Sequence, residues 1–150
     1  MPTEEGSLGV PKIYQVDSWG GIKVDNRKLM RRKPQGILIH HTAGSNRRPE
    51  VEEESELGAA GEVARTIQTH HMTEPKLHWR DSGHHFLISR GGLILEGRGG
   101  AAAAAAQGLC LLGAHSGNNR INSTYIGIEV EGTYMETLPT PPAWNCLVNL

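Results

Sequence analysis

A short apolar run, Gly36-Ile37-Leu38-Ile39, leads directly into a pair of histidines, His40-His41. Branched side chains in so short a stretch read as a buried strand rather than a helix. A side chain at a strand end is held by the sheet behind it while its ring faces a cleft. Neighbours on a strand point to opposite faces, so His40 and His41 are not expected to grip one ion together. The same geometry separates His84 from His85.

The residues around this strand alternate between strand and helix signals. Thr42 to Pro49 is polar and predicts a loop. Leu57, Ala60, Ala64, Ile67 and His71 fall three and four apart, predicting a helix over 50–72. Glu50, Glu52, Glu53 and Glu54 crowd its start, where the helix dipole favours negative charge. His70 and His71, about 100° apart around that helix, read as surface and packing respectively. Residues 84–89 and 93–97 predict the strands of a hairpin turning at Arg90-Gly91-Gly92. Tyr125-Ile126-Gly127-Ile128-Glu129-Val130 is a further strand. Thr140 suits an N-cap and Pro141 the first position of a second helix. This order predicts an α/β domain, a central mixed β-sheet flanked by helices.

Two segments are harder to place. Ala101–Ala106 is six consecutive alanines. Alanine is the best helix former, but six alone are too few for a stable helix in water, so residues 99–112 are expected to form an Ala-rich insertion in a loop. The basic run Arg31-Arg32-Lys33-Pro34 is expected to be a solvated loop.

At 150 residues the chain is expected to hold one domain, residues 13–150, behind a flexible lead-in over 1–12. A formal net charge of −1 gives no reason to expect nucleic acid or a membrane surface as partner. The start, Met1-Pro2-Thr3-Glu4-Glu5-Gly6, has neither the basic opening nor the apolar core of a signal peptide. Synthesis in the cytoplasm is the expectation that follows. Cys110 and Cys146 are expected to be two reduced, buried thiols.

Zinc is bound by imidazole, thiolate or carboxylate in a tetrahedral set. A lone strand-end histidine is more often structural than metal-binding, so the case for His40 rests on its company. Ile37-Leu38-Ile39-His40-His41-Thr42-Ala43-Gly44 is followed by Trp79-Arg80-Asp81-Ser82-Gly83-His84-His85-Phe86-Leu87-Ile88. Then come Gly92-Leu93-Ile94-Leu95-Glu96-Gly97-Arg98, Gly113-Ala114-His115-Ser116, and Asn122 before Tyr125-Ile126-Gly127-Ile128-Glu129. In this order the pieces resemble the zinc-dependent N-acetylmuramoyl-L-alanine amidases of type 2, the family of the peptidoglycan recognition proteins and the amidase-type phage endolysins. The resemblance runs from about Ser18 to the last residue.

The resemblance implies an activity, zinc-dependent hydrolysis of the amide between the lactyl group of muramic acid and L-alanine, with peptidoglycan or a muropeptide as partner. It implies that His40 is the first zinc ligand. It implies a catalytic role for His84, at a position that is commonly a tyrosine in the family; imidazole can donate or accept a hydrogen bond and shuttle a proton. The competing reading of His84 is a polar residue on the open face of an edge strand. His115 and Asn122 match positions lining the substrate groove, and Thr42, beside His40, is placed to reach the same cleft; loop structure is the competing reading for all three. Trp79 and Asp81 read equally well as structural.

The family's second and third zinc ligands come late, from a Gly-His-Arg-Asp-like and a Cys-Pro-Gly-like segment. No histidine follows His115 here, and Cys146 has no proline after it. The zinc site is therefore expected to be incomplete, with the family's last strand and helix missing and part of the core uncovered. Three alternatives follow: a chain truncated relative to the family, a muropeptide-binding module without catalysis, or a site completed by a partner chain. Truncation is the expectation favoured by the sequence.

Overall fold

A computed structural model describes residues 10–150, so the opening nine residues of the expected lead-in lie outside the described residues. In chain order the elements are β1 (Ile13–Tyr14), a 3-10 turn (Val16–Trp19), β2 (Arg31–Arg32), β3 (Gly36–His41), α1 (Glu53–Thr73), β4 (Phe86–Ile88) and β5 (Ile94–Glu96). They continue with α2 (Ala101–Ala106), β6 (Cys110–Leu111), α3 (Asn119–Thr124), β7 (Tyr125–Val130) and α4 (Pro141–Val148). The five-stranded sheet runs β1-β5-β4-β7-β3. It is mixed: β3 and β4 lie parallel to β7, while β4 and β5 form the antiparallel hairpin.

Each face of this sheet carries its own core, as strand alternation requires. Leu87 and Leu95 pack with Ala60 and Ala64 of α1 and with Tyr14, Val16 and Trp19. Phe86, Ile88, Ile94, Ile128 and Val130 pack with Ala143 of α4 and Ala101 of α2. β3 forms one edge, and its Ile37 and Ile39 are 54% and 55% exposed. The expectation of an α/β domain, a central mixed sheet flanked by helices, is met.

Both long strands fall where the sequence places them, and Thr140 caps α4 by accepting from the Ala143 amide. Two expectations about secondary structure need correction. The alanine run is a helix, α2, with Ala101 and Ala104 buried. Packing against β6 and the sheet supplies what six isolated residues lack. Arg31 and Arg32 form β2, paired antiparallel with Cys110 and Leu111, rather than a free loop. The buried face of α1 also includes Glu56 and Gln68, which apolar spacing does not predict. Each has a polar partner. Glu56 meets the Arg47 guanidinium, and Gln68 bonds Asp81 and both backbone groups of Ile22. Cys110 and Cys146 are both free thiols; Cys110 is buried and Cys146 half-buried.

Candidate functional site

His40 and Glu129 are register partners on the adjacent parallel strands β3 and β7. They therefore share the α1 side of the sheet, as does Leu87, opposite Glu129 on β4. His41 points the other way: it is the partner of Val130, and its Nδ1 accepts from the Tyr134 amide at 3.0 Å. The sheet separates the histidine pair as the alternation rule predicts.

His84 lies just ahead of β4 and is 1% exposed. β4 is an interior strand, flanked by β5 and β7, so the reading of His84 as a polar residue on an open edge strand does not hold. Its ring occupies space left by Gly97, where a Cβ would come within 2.4 Å of the imidazole. Neither ring nitrogen has a hydrogen-bond partner. The nearest charged group is Glu129, with Oε2 3.5 Å from His84 Nδ1. A buried polar ring without partners is rare, because leaving such a group unsatisfied costs about 1–3 kcal/mol. Burial pushes the Glu129 pKa up, but His84, His71 and His40 outweigh this and hold it below the ordinary carboxylate value. Glu129 is thus a carboxylate at neutral pH, poised between His40 and His84.

His115 sits in the loop after β6, and its ring fills a slot cut by two glycines. A Cβ on Gly127 would lie 2.3 Å from its Cγ, and one on Gly113 2.9 Å from its Cδ2. His115 Nε2 bonds the Tyr125 carbonyl at 3.0 Å, and its Nδ1 lies 3.3 Å from His40 Nε2. Burial lowers its pKa. His85 stacks edge-on behind it, with centroids 5.3 Å apart. His85 accepts from the Gly127 amide and donates to the Leu111 carbonyl, and burial lowers its pKa to about 3. It is a neutral staple between β7 and the His115 loop. Arg98 ties the segments that carry His84 and His115, bonding the carbonyls of Ser82 and Leu112.

Asn122 is 8% exposed, and its side-chain oxygen and nitrogen pair with the amide and carbonyl of Ser116, each at 2.8 Å. With its amide so engaged, it holds the shape of the His115 loop. Thr42 Oγ1 accepts from the Gly132 amide at 2.9 Å, which ties the loop after β3 to the turn after β7. Asp81 is structural: it takes bonds from Asn26, Gln68, Ser82 and Gly99. His71 packs on Trp79 with centroids 4.6 Å apart, and burial holds its pKa at about 4.

The sequence reading missed Glu129 as a site residue. Its signal was available: a carboxylate on the inward-facing side of an otherwise apolar strand. Arg47 was also missed. It bridges two buried carboxylates, Glu56 and Glu131, at 2.7 and 2.8 Å. This ties the loop after β3 to α1 and to the residue following β7.

Catalytic zinc normally keeps three protein ligands and one open position. Among the described residues no group of three or more His, Cys, Asp or Glu side chains is placed to hold a metal. His40 and the neighbouring Glu129 fall short of that set, so zinc does not fit the described donors as a complete site.

An α/β sheet with this strand order and a histidine–carboxylate cluster on one face describes a class that the sequence comparisons define further. The family profile described as N-acetylmuramoyl-L-alanine amidase (Amidase_2) matches residues 30–150, and the chain belongs to that family. It is 31% identical over 138 residues to peptidoglycan recognition protein 1 of Bos taurus, covering 92% of this chain and 63% of that protein. It is 29% identical over 140 residues to the N-acetylmuramoyl-L-alanine amidase of Homo sapiens, covering 93% of this chain and 21% of that one. Among solved structures it resembles Drosophila peptidoglycan recognition protein SA, with a TM-score of 0.72 at 25% identity, covering 93% of this chain and 69% of that one. A second neighbour is peptidoglycan recognition protein LE in complex with tracheal cytotoxin, a monomeric diaminopimelic acid-type peptidoglycan. Its TM-score is 0.69 at 25% identity, covering 91% of this chain and 69% of that one. The chain thus spans about two thirds or less of the length of these relatives.

Proposed function

We propose that this chain handles peptidoglycan: it binds a muropeptide beside His40, Thr42 and His115, and takes part in hydrolysis of the lactyl–L-alanine amide. The observation that carries this reading is the cluster of His40, Glu129 and His84 on one side of the sheet in a chain of the amidase family. A carboxylate held ionised in partial burial is a general base in waiting. Glu129 would accept a proton from the attacking water, and His84, at 3.5 Å, would hold that proton or pass it on. His40 would contribute one zinc ligand, the remaining donors coming from outside the described cluster.

A second reading is a muropeptide-binding module that does not cut. It is favoured by the shortfall of metal donors among the described residues. One experiment separates the two. The chain is incubated with a muropeptide and zinc, cleavage is followed by mass spectrometry, and binding is followed by calorimetry. Release of free stem peptide supports hydrolysis. Heat of binding without cleavage supports the module. Neither signal at millimolar ligand contradicts both.

A further inference from the structure

We infer that His115 is a positioning residue for His40: a hydrogen bond from His40 Nε2–H to His115 Nδ1 fixes the orientation and tautomer of the His40 ring and leaves its Nδ1 bare. The inference rests on the reading above only for what His40 then does.

A chain of acceptors fixes where the protons sit. The Tyr125 carbonyl can only accept, so the 3.0 Å contact to it requires a proton on His115 Nε2. In an uncharged imidazole the other nitrogen is then a lone pair. That nitrogen, Nδ1, lies 3.3 Å from His40 Nε2. The bond therefore needs its proton on His40 Nε2, and the lone pair of His40 moves to Nδ1. Among the described residues, Nε2 is the one His40 ring nitrogen with a hydrogen-bond partner.

The slot around His115 supports a positioning role over simple lining of a groove. The ring is confined by Gly113 and Gly127, where any Cβ would strike it, and stacked edge-on by His85. His85 is itself pinned at both nitrogens by the Gly127 amide and the Leu111 carbonyl. A residue that only lined a groove would not need its ring fixed on every side. One whose task is to aim a second imidazole does, because a ligand or base must be held within a fraction of an ångström.

The test is nuclear magnetic resonance of the full chain carrying 15N-labelled histidine. A scalar coupling across the hydrogen bond, between protonated His40 Nε2 and unprotonated His115 Nδ1, is the expected result. His115→Phe keeps the ring shape and should lose the coupling, with His40 then sampling both tautomers. His115→Asn puts an acceptor near the old Nδ1 and should keep His40 protonated at Nε2 alone. Where turnover is measurable, His115→Phe should lower it about 10- to 100-fold, and His115→Asn should recover most of that loss. A proton found on His115 Nδ1, or a bare His40 Nε2, in the unsubstituted protein overturns the inference. A coupling present in a protein that neither binds nor cuts muropeptide leaves this inference standing and removes the proposed function.

Discussion

His84 Nδ1 lies 3.5 Å from Glu129 Oε2, in a position where neither ring nitrogen of His84 has a hydrogen-bond partner. The pair is formed by an interior strand, β7, and by the segment entering its neighbour β4, so its geometry belongs to the sheet and not to a mobile loop. Glu129 is ionised because the histidines around it outweigh burial. If that carboxylate is the base, Glu129→Gln removes turnover by about 100-fold or more. It should leave muropeptide affinity within about threefold, since each 1.4 kcal/mol is tenfold and an uncharged isostere keeps the packing. Parallel turnover and binding titrations on the variant check this. Unchanged turnover would remove Glu129 from the chemistry.

Arg47 holds two side chains, Glu56 and Glu131, each 2% exposed. Burial pushes Glu56 up, but Arg47 and the amides of Glu50 and Gly91 bring it down to about 2 from 4.5. Arg47→Ala strands both carboxylates in the interior and should destabilise the fold by about 3–5 kcal/mol. A depressed carboxylate pKa contributes stability above 4.5 that is lost as pH falls toward 2. The deficit of the variant should therefore be largest at neutral pH and shrink below pH 4.5. Urea unfolding of both proteins at the two pH values measures it.

Burial holds His85 at about 3 and His71 at about 4, against 6.5 in an open chain. The unfolded chain therefore takes up protons near 6.5 that the folded one refuses. Stability from these two rings is complete above 6.5 and falls as pH drops toward 4. The urea midpoint should decline from pH 7.5 to pH 5, before most carboxylates titrate. An unchanged midpoint over that interval would show that these histidines are not held neutral.

Gly127 gives His115 its room. Gly127→Ala would place a methyl 2.3 Å from the ring. The expected cost is about 1–3 kcal/mol, in the range of overpacked cores, with displacement of His115 from His40. Thermal unfolding and the histidine ring resonances report the two effects separately.

The alanine run offers a check on local structure. Ala103 is exposed on α2 and Ala104 is buried. Ala103→Gly should cost about 0.8–1 kcal/mol through helix propensity alone. Ala104→Leu should cost about 1–3 kcal/mol through crowding. Equal and negligible effects at both positions would indicate a loop.

Much of this is legible in the sequence. Gly36–His41 and Tyr125–Val130 announce themselves by composition, because short runs rich in isoleucine, leucine, valine and tyrosine favour strand over helix. The opposite facing of His40 and His41 follows from strand geometry alone. The short pairs β1, β2 and β6 were not legible, since two-residue strands are defined by their partners and not by their own residues. α2 was misread because its stability comes from packing. The burial of His84 was not legible, because the absence of a side chain at Gly97, thirteen residues later, is what makes room for its ring. The engagement of Asn122 was not legible either, because only the structure shows both of its polar side-chain atoms paired with Ser116.

The central claim is that a muropeptide binds beside His40, His115 and Glu129. The most direct measurement follows the backbone amide resonances of the chain while a muramyl peptide is titrated to millimolar concentration. Saturable shifts concentrated at 40–44, 113–116 and 127–130 are the predicted result. A spectrum that does not move, or shifts confined to surfaces away from β3 and β7, would contradict it.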